Sequence, residues 1–164
     1  MQTRIDEINA VSQQNFNAYV SVPDRPNGHA VIVLQEIFGV TQPIREVADR
    51  YAQEGYLAIA PDLFWRVEPG LLLSHSKEDM KRAFSVLEQF SEELGVQDIG
   101  CTIAHAKAQP SIVGGVAIVG MCLGGKLAYL SASRLLVDAS LAFYGVGIER
   151  NLGEAASIKV PLLM

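Results

Sequence analysis

Cys122 stands in GMCLGGK, residues 120–126, between an apolar run, GVAIVG at 115–120, and a segment of helical period, KLAYLSASRLL at 126–136. A nucleophile elbow carries its reactive side chain on a sharp, strained strand-to-helix turn. It needs small residues two positions either side, because a Cβ there would collide with neighbouring backbone. Gly120 and Gly124 occupy those positions, and Gly125 eases the approach of helix to sheet. The unpaired N–H groups of the following helix face the thiol, and their partial positive charge predicts that the thiolate is favoured there. Cys122 is therefore the candidate nucleophile. The same letters spell G-x-x-x-x-G-K, a phosphate-binding loop, but the next position must be Ser or Thr to reach a nucleotide's magnesium and is Leu127. The plainest reading is a glycine turn chosen for packing, with Cys122 an inert buried residue.

A second group belongs beside the first. The run VIVLQ ends in Glu36, followed by Ile37, Phe38 and Gly39, so a carboxylate and a free backbone N–H are expected at the carboxyl edge of a central strand. Alone, Glu36 would be a solvated loop charge; beside a cysteine it is a candidate base or thiol partner. In hydrolases built this way the oxyanion hole joins the N–H after the nucleophile to one from the loop after an early strand, and Leu123 and Ile37 supply those groups here.

The elements that must position these residues alternate in kind. Apolar runs at 16–22, 29–35, 56–60, 115–120 and 139–145 read as strands, the first closed by Pro23, and a further strand begins at Val160. Between them lie a helix from Pro43 capped by Thr41 and stopped at Gly55, then helices over 77–93 and 96–108 separated by Gly95, the first amphipathic through Met80, Phe84, Leu87 and Phe90. Residues 126–136 form the helix after the elbow, and 149–157 are loop-like or briefly helical. This alternation predicts an α/β fold with a mostly parallel sheet and helices on both faces.

Composition narrows the function classes. The chain has 164 residues, 49% hydrophobic and 19% charged, enough for one domain over 1–164. A net charge of −5 without any basic block excludes nucleic acid as the expected partner. The N-terminus has no apolar core of signal-peptide length and no later apolar run approaches that of a membrane span, so no membrane association and a cytoplasmic location are expected. Cys101 and Cys122 are too few for a disulfide scaffold and lack metal-ligand spacing; no cofactor or metal is expected. Oligomeric state is not legible.

The chain resembles the dienelactone hydrolase family of α/β-hydrolases, the carboxymethylenebutenolidases and their relatives. The resemblance rests on LQEIFGV at 34–40, IREVADRYAQEGYLAIAPDLF at 44–64, VAIVGMCLGG at 116–125 and AFYG at 142–145, in the family's order over nearly the whole chain. It implies an α/β-hydrolase fold and hydrolysis of a small lactone or ester through a covalent intermediate on Cys122. Glu36 would hold or deprotonate the thiol when substrate arrives, Ile37 and Leu123 would give the oxyanion-hole N–H groups, and no cofactor is implied. The family's arginine and tyrosine that grip a substrate carboxylate align with Met80 and Phe84, both apolar; Lys81 and Arg82 would point elsewhere on the helix.

The triad acid and histidine of this fold follow the nucleophile, yet His29, His75 and His105 all precede Cys122. Asp138 should lie at the wrong end of the sheet, and Asp62 belongs to a loop motif. By resemblance the acid lies just beyond the strand starting at Val160 and the histidine further on. The expectation is therefore a chain lacking the C-terminal strands and helices of the fold, nearly inactive by itself. The alternative is a truncated, non-catalytic homologue that binds a small ligand or partner.

Overall fold

A computed structural model describes all 164 residues. Seven strands form one sheet in the order β1-β2-β4-β3-β5-β6-β7. They are β1 (Gln2–Asn9), β2 (Asn15–Val22), β3 (Ala30–Leu34), β4 (Leu57–Pro61), β5 (Val116–Met121), β6 (Ala139–Phe143) and β7 (Leu162–Leu163). The first two form an antiparallel hairpin, β2 pairs antiparallel with β4, and every pairing from β4 to β7 is parallel. The expected mostly parallel α/β sheet is present.

The parallel strands are apolar on both faces, so successive residues feed two separate cores. In β3, Ala30, Ile32 and Leu34 join the larger core, under α3 (Glu92–Lys107) and α4 (Leu123–Arg134). Val31 and Val33 face the other way, toward Ile44 and Ala48 of α1 (Gln42–Gln53). Helices thus cover both faces, as alternation of element types predicts.

Several boundaries differ from the sequence reading, each for a local reason. Strand β1 escapes the apolar-run criterion because it is a polar edge strand on which only Ile8 is buried. Thr41 precedes α1 but its side chain makes no capping bond; the helix is entered through Pro43 instead. Helix α2 (Lys77–Gln89) ends before Phe90, and Ser91 caps α3 by accepting from the Leu94 N–H, so the break falls at 90–91 rather than at Gly95. Gly95 lies inside α3, where the Phe90 ring occupies the space a Cβ would take. The inward face of α2 is centred on Ala83 and Val86, leaving Phe84 about half exposed at 51%. Helix α4 starts at Leu123, three residues earlier than read, and residues 148–157 form a 3-10 helix.

The carboxyl ends of β3, β4, β5 and β6 share one edge of the sheet, and the loops there are tied by buried polar groups. Gln35 is fully buried; its Oε1 accepts from the Leu63 N–H at 3.0 Å and its Nε2 donates to the Glu36 carbonyl at 3.3 Å. Asp62 accepts from the N–H groups of Phe64 and Gly70 at 3.0 and 2.7 Å, folding the loop after β4 back on itself. Asp98, 1% exposed, accepts from Trp65 Nε1 at 2.9 Å and pairs with Arg66, which locks that loop to α3.

The tightest point of the fold is the seat of α4. A Cβ on Gly124 would stand 2.5 Å from the Leu34 carbonyl oxygen and 2.7 Å from that of Gln35, both immovable backbone. Gly124→Ala is expected to cost about 3 kcal/mol of stability in urea unfolding, as overpacking against backbone does. Gly153→Ala, which meets open space, should stay within about 0.5 kcal/mol.

Candidate active site

Strand β5 ends at Met121 and α4 begins at Leu123, so Cys122 alone makes the turn between them. Its φ of 55° and ψ of −116° lie outside the ordinary regions for an L-residue, the strained geometry that an elbow requires. The turn is held from both sides. The Cys122 N–H donates to the Phe143 carbonyl at 3.1 Å, and its own carbonyl accepts from the Lys126 N–H at 3.2 Å. Neighbouring backbone leaves no room for side chains on the flanking glycines: a Cβ on Gly120 would strike the Gly124 carbonyl, and one on Gly125 would stand 3.0 Å from the Gly145 nitrogen. The G-x-x-x-x-G-K letters therefore form this packed elbow rather than an open phosphate cradle. Lys126 is turned to Glu92, its Nζ donating to Oε1 at 2.5 Å, and Leu127 is buried.

Cys122, Ile37 and Leu123 line one cavity of about 470 Å³, within the range of small-molecule sites. Leu123 opens α4, so its N–H has no partner within the helix and points to the thiol. The Ile37 N–H takes no part in the hydrogen bonds of its loop. Glu36, partly buried, lies close enough for its charge to act on the Cys122 thiol. The four residues singled out in the sequence thus converge on one place.

Tyr144 joins them and was not anticipated as a site residue. Its φ is 39°, a second non-glycine residue in the left-handed region, and its hydroxyl donates to Glu36 Oε1 at 3.3 Å. The sequence signal was present in the Tyr-Gly pair directly after a buried strand, where a strained residue at the carboxyl edge points to a function. The histidines lie elsewhere: His29 Nδ1 accepts from the Gly115 N–H, His105 meets Asp6 at 3.0 Å, and His75 packs on the Phe38 ring. Asp138 accepts from the Val116 N–H at the start of β5, the opposite end of the sheet from Cys122.

The electrostatics reverse one expectation. Burial pushes the Cys122 thiol up, the Leu123 N–H pulls it down, and the Glu36 carboxylate pushes it up again. The helix end therefore opposes but does not overcome desolvation and a like charge, and the resting side chain is a neutral thiol. Tyr144 is likewise raised, by burial first and then by Glu36. Because Glu36 raises the thiol, Glu36→Gln is expected to lower the pH midpoint of Cys122 alkylation. At pH 8 it should speed labelling several-fold, a neighbouring unit charge being worth about one pKa unit. Cys101, raised by its own burial and by Asp98, provides the internal standard and should not respond. Unchanged labelling of Cys122 in the variant, followed by peptide mass spectrometry, would refute the charge coupling.

Residues 16–164 match the sequence profile of the dienelactone hydrolase family. Carboxymethylenebutenolidase 1 of Cupriavidus pinatubonensis is 37% identical over 158 residues, covering 96% of this chain and 68% of that protein. The carboxymethylenebutenolidase of Pseudomonas sp. (strain P51) is 39% identical over 155 residues, covering 94% of this chain and 65% of its own length. The chain spans about two thirds of the length of these relatives. Among solved structures, a dienelactone hydrolase from Anabaena variabilis superposes with a TM-score of 0.73 at 17% identity, covering 98% of this chain and 71% of that one, a likeness of fold. No helix is long and apolar enough to cross a membrane. Profile, relatives and sheet order agree with the glycine-packed elbow around Cys122, and the chain belongs to the dienelactone hydrolase family.

Proposed function

We propose that this chain carries the acyl-accepting half of a lactone or carboxylic-ester hydrolase with Cys122 as nucleophile. The observation that supports the reading most directly is the strained backbone at Cys122, held in a turn that presents its sulfur to a cavity also lined by Ile37 and Leu123. Such strain is retained where it serves chemistry.

In the proposed sequence a substrate carbonyl enters the cavity with its oxygen toward the Ile37 and Leu123 N–H groups. Glu36 takes the thiol proton as sulfur attacks the carbonyl carbon, and the two N–H groups stabilise the charge that develops on oxygen. The tetrahedral centre collapses with loss of the alkoxide, which takes up the proton, and the acyl group remains on Cys122 as a thioester. Water then cleaves the thioester to give the carboxylic acid and the free thiol. A neutral resting thiol suits this order, since it avoids oxidation and indiscriminate alkylation until a substrate is seated. Free thiol chemistry of this kind also suits a reducing, cytoplasmic setting.

The attack on substrate and the cleavage of the thioester place different demands on the protein. Acylation uses groups gathered at the elbow, whereas activation of water calls for a base, and none of the three histidines of these 164 residues stands among the groups lining the cavity. With p-nitrophenyl butyrate, the 164-residue polypeptide is expected to release one equivalent of p-nitrophenol and to gain a butyryl group on the peptide carrying Cys122, with slow turnover thereafter. Cys122→Ser should lose the rapid phase by about 100-fold, since an unactivated hydroxyl is the weaker nucleophile. Acylation at Cys101 or a lysine instead, or none at all, would leave the protein a non-catalytic binder.

A further inference from the structure

Part of the wall of the Cys122 cavity comes from the segment after β6, where Val146, Gly147, Glu149 and Arg150 line it. This segment leads into the 3-10 helix Ile148–Ser157, which the chain enters through Gly147 in a left-handed conformation, φ 85°. A 3-10 run of 10 residues is long for a form whose hydrogen bonds are poorly aligned and which seldom exceeds about four residues, so its own backbone fixes it weakly. Ile148, 6% exposed, seats its first turn in the core, where its Cδ1 fills the space a Cβ on Gly145 would take. The direction of the rest is set by side chains.

Those side chains belong to α4, the helix that begins at the elbow. Glu154 accepts from Arg134 Nε at 2.7 Å and Nη2 at 2.6 Å, from Ser133 Oγ at 2.9 Å and from Asn151 Nδ2 at 3.2 Å. Tyr129, one helical turn before Ser133, donates its hydroxyl to the Asn151 carbonyl at 3.1 Å. The two-pronged approach of Arg134 gives this ion pair a defined geometry that a single-point surface pair lacks. Arg134, helped by Ser133 and Asn151, holds the Glu154 carboxyl down at about 2 against the opposing effect of burial, so the pair is intact at any pH where a thiol reacts. One helix therefore carries Cys122 at its N-terminus and grips the cavity wall at its C-terminus. Neither Arg134 nor Glu154 lines the cavity.

We propose that Arg134 and Glu154 are positioning residues for substrate selection: their ion pair sets the distance between the Cys122 sulfur and the Val146–Arg150 wall, and with it how well the cavity holds the group attached to the carbonyl under attack. This role rests on Cys122 being the nucleophile of the proposed reaction.

The test uses alkylation, which needs no acyl transfer. The Cys122 thiolate displaces iodide from iodoacetamide or from N-benzyliodoacetamide, forming the S–C bond as the C–I bond breaks and iodide leaves, the thiol proton having gone to solvent. Both rates are followed by peptide mass spectrometry at pH 9 on the 164-residue polypeptide and divided by those with glutathione. The ratio of benzyl to unsubstituted reagent then cancels any change in thiol ionisation. Glu154→Ala and Arg134→Ala are each expected to lower that ratio about fourfold, the worth of one buried methylene, while the iodoacetamide rate moves by less than about twofold. The double variant should lose no more than either single one, because the two residues act as one clasp. Arg134→Lys keeps the charge without the two-pronged geometry and should fall between; it decides the matter where an alanine variant fails to fold. Glu93→Gln removes the other carboxylate partner of Arg134, on α3, and should leave the ratio unchanged. A general loss of packing would instead move both reagents together and add in the double variant. That pattern, or a ratio unmoved in the Arg134 and Glu154 variants, overturns the proposal. Because the acyl-transfer experiment reads thioester formation and this one reads fit to the wall, an acylated Cys122 with an unmoved ratio refutes only the clasp, and a clasp-dependent ratio without acylation refutes only the nucleophile.

Discussion

The whole arrangement depends on backbone touching backbone where the first turn of α4 meets the carboxyl ends of β3 and β6. Gly124 faces the Leu34 and Gln35 carbonyls, Gly125 faces Gly145, and Gly120 faces Gly124. No side chain can intervene, so the helix is seated closer than ordinary packing allows and its N-terminus is carried to the sheet edge. That seat fixes the direction of the Cys122 side chain, brings the Leu123 N–H beside the Ile37 loop, and places Tyr144 over Glu36. Removing the contact would not merely loosen the core; it would disperse every group of the site at once.

Around this seat the structure sets its charges in opposition rather than in support. The Glu36 carboxylate favours the protonated forms of both Cys122 and Tyr144, and burial favours them more strongly still. The helix N-terminus supplies the one opposing influence through the Leu123 N–H. The outcome is a protonated thiol beside a carboxylate, with the balance open to change by whatever enters the cavity. Away from the thiol, Lys126 is neutralised by Glu92.

Much of this was legible in the order of residue types. The alternation of apolar runs and helical periods gave the parallel sheet, and G-x-C-x-G-G together with Q-E-I-F-G gave Cys122, Glu36, Ile37 and Leu123, because these motifs are local and their steric demands are written in glycine. What escaped was non-local. The β1 strand shows no apolar run since it is paired on one side only, and the α2–α3 break depended on where the Phe90 ring found space, against Gly95. Tyr144 and the Lys126–Glu92 pair belong to contacts between elements far apart in the chain. The ionisation of Cys122 was misread for the same reason: the helix end is visible in sequence, whereas the extent of burial and the approach of Glu36 are properties of the folded site.

The positive φ of Cys122 also bears on how such a protein can change over evolutionary time. In that conformation a side chain branched at Cβ is crowded by its own backbone, so threonine is disfavoured at position 122 whatever its hydroxyl could do, whereas cysteine and serine keep a single heavy atom beyond Cβ. The choice between sulfur and oxygen stays open at this position while branched alternatives are closed. The turn that strains the backbone therefore also restricts which side chains descent can try at its apex.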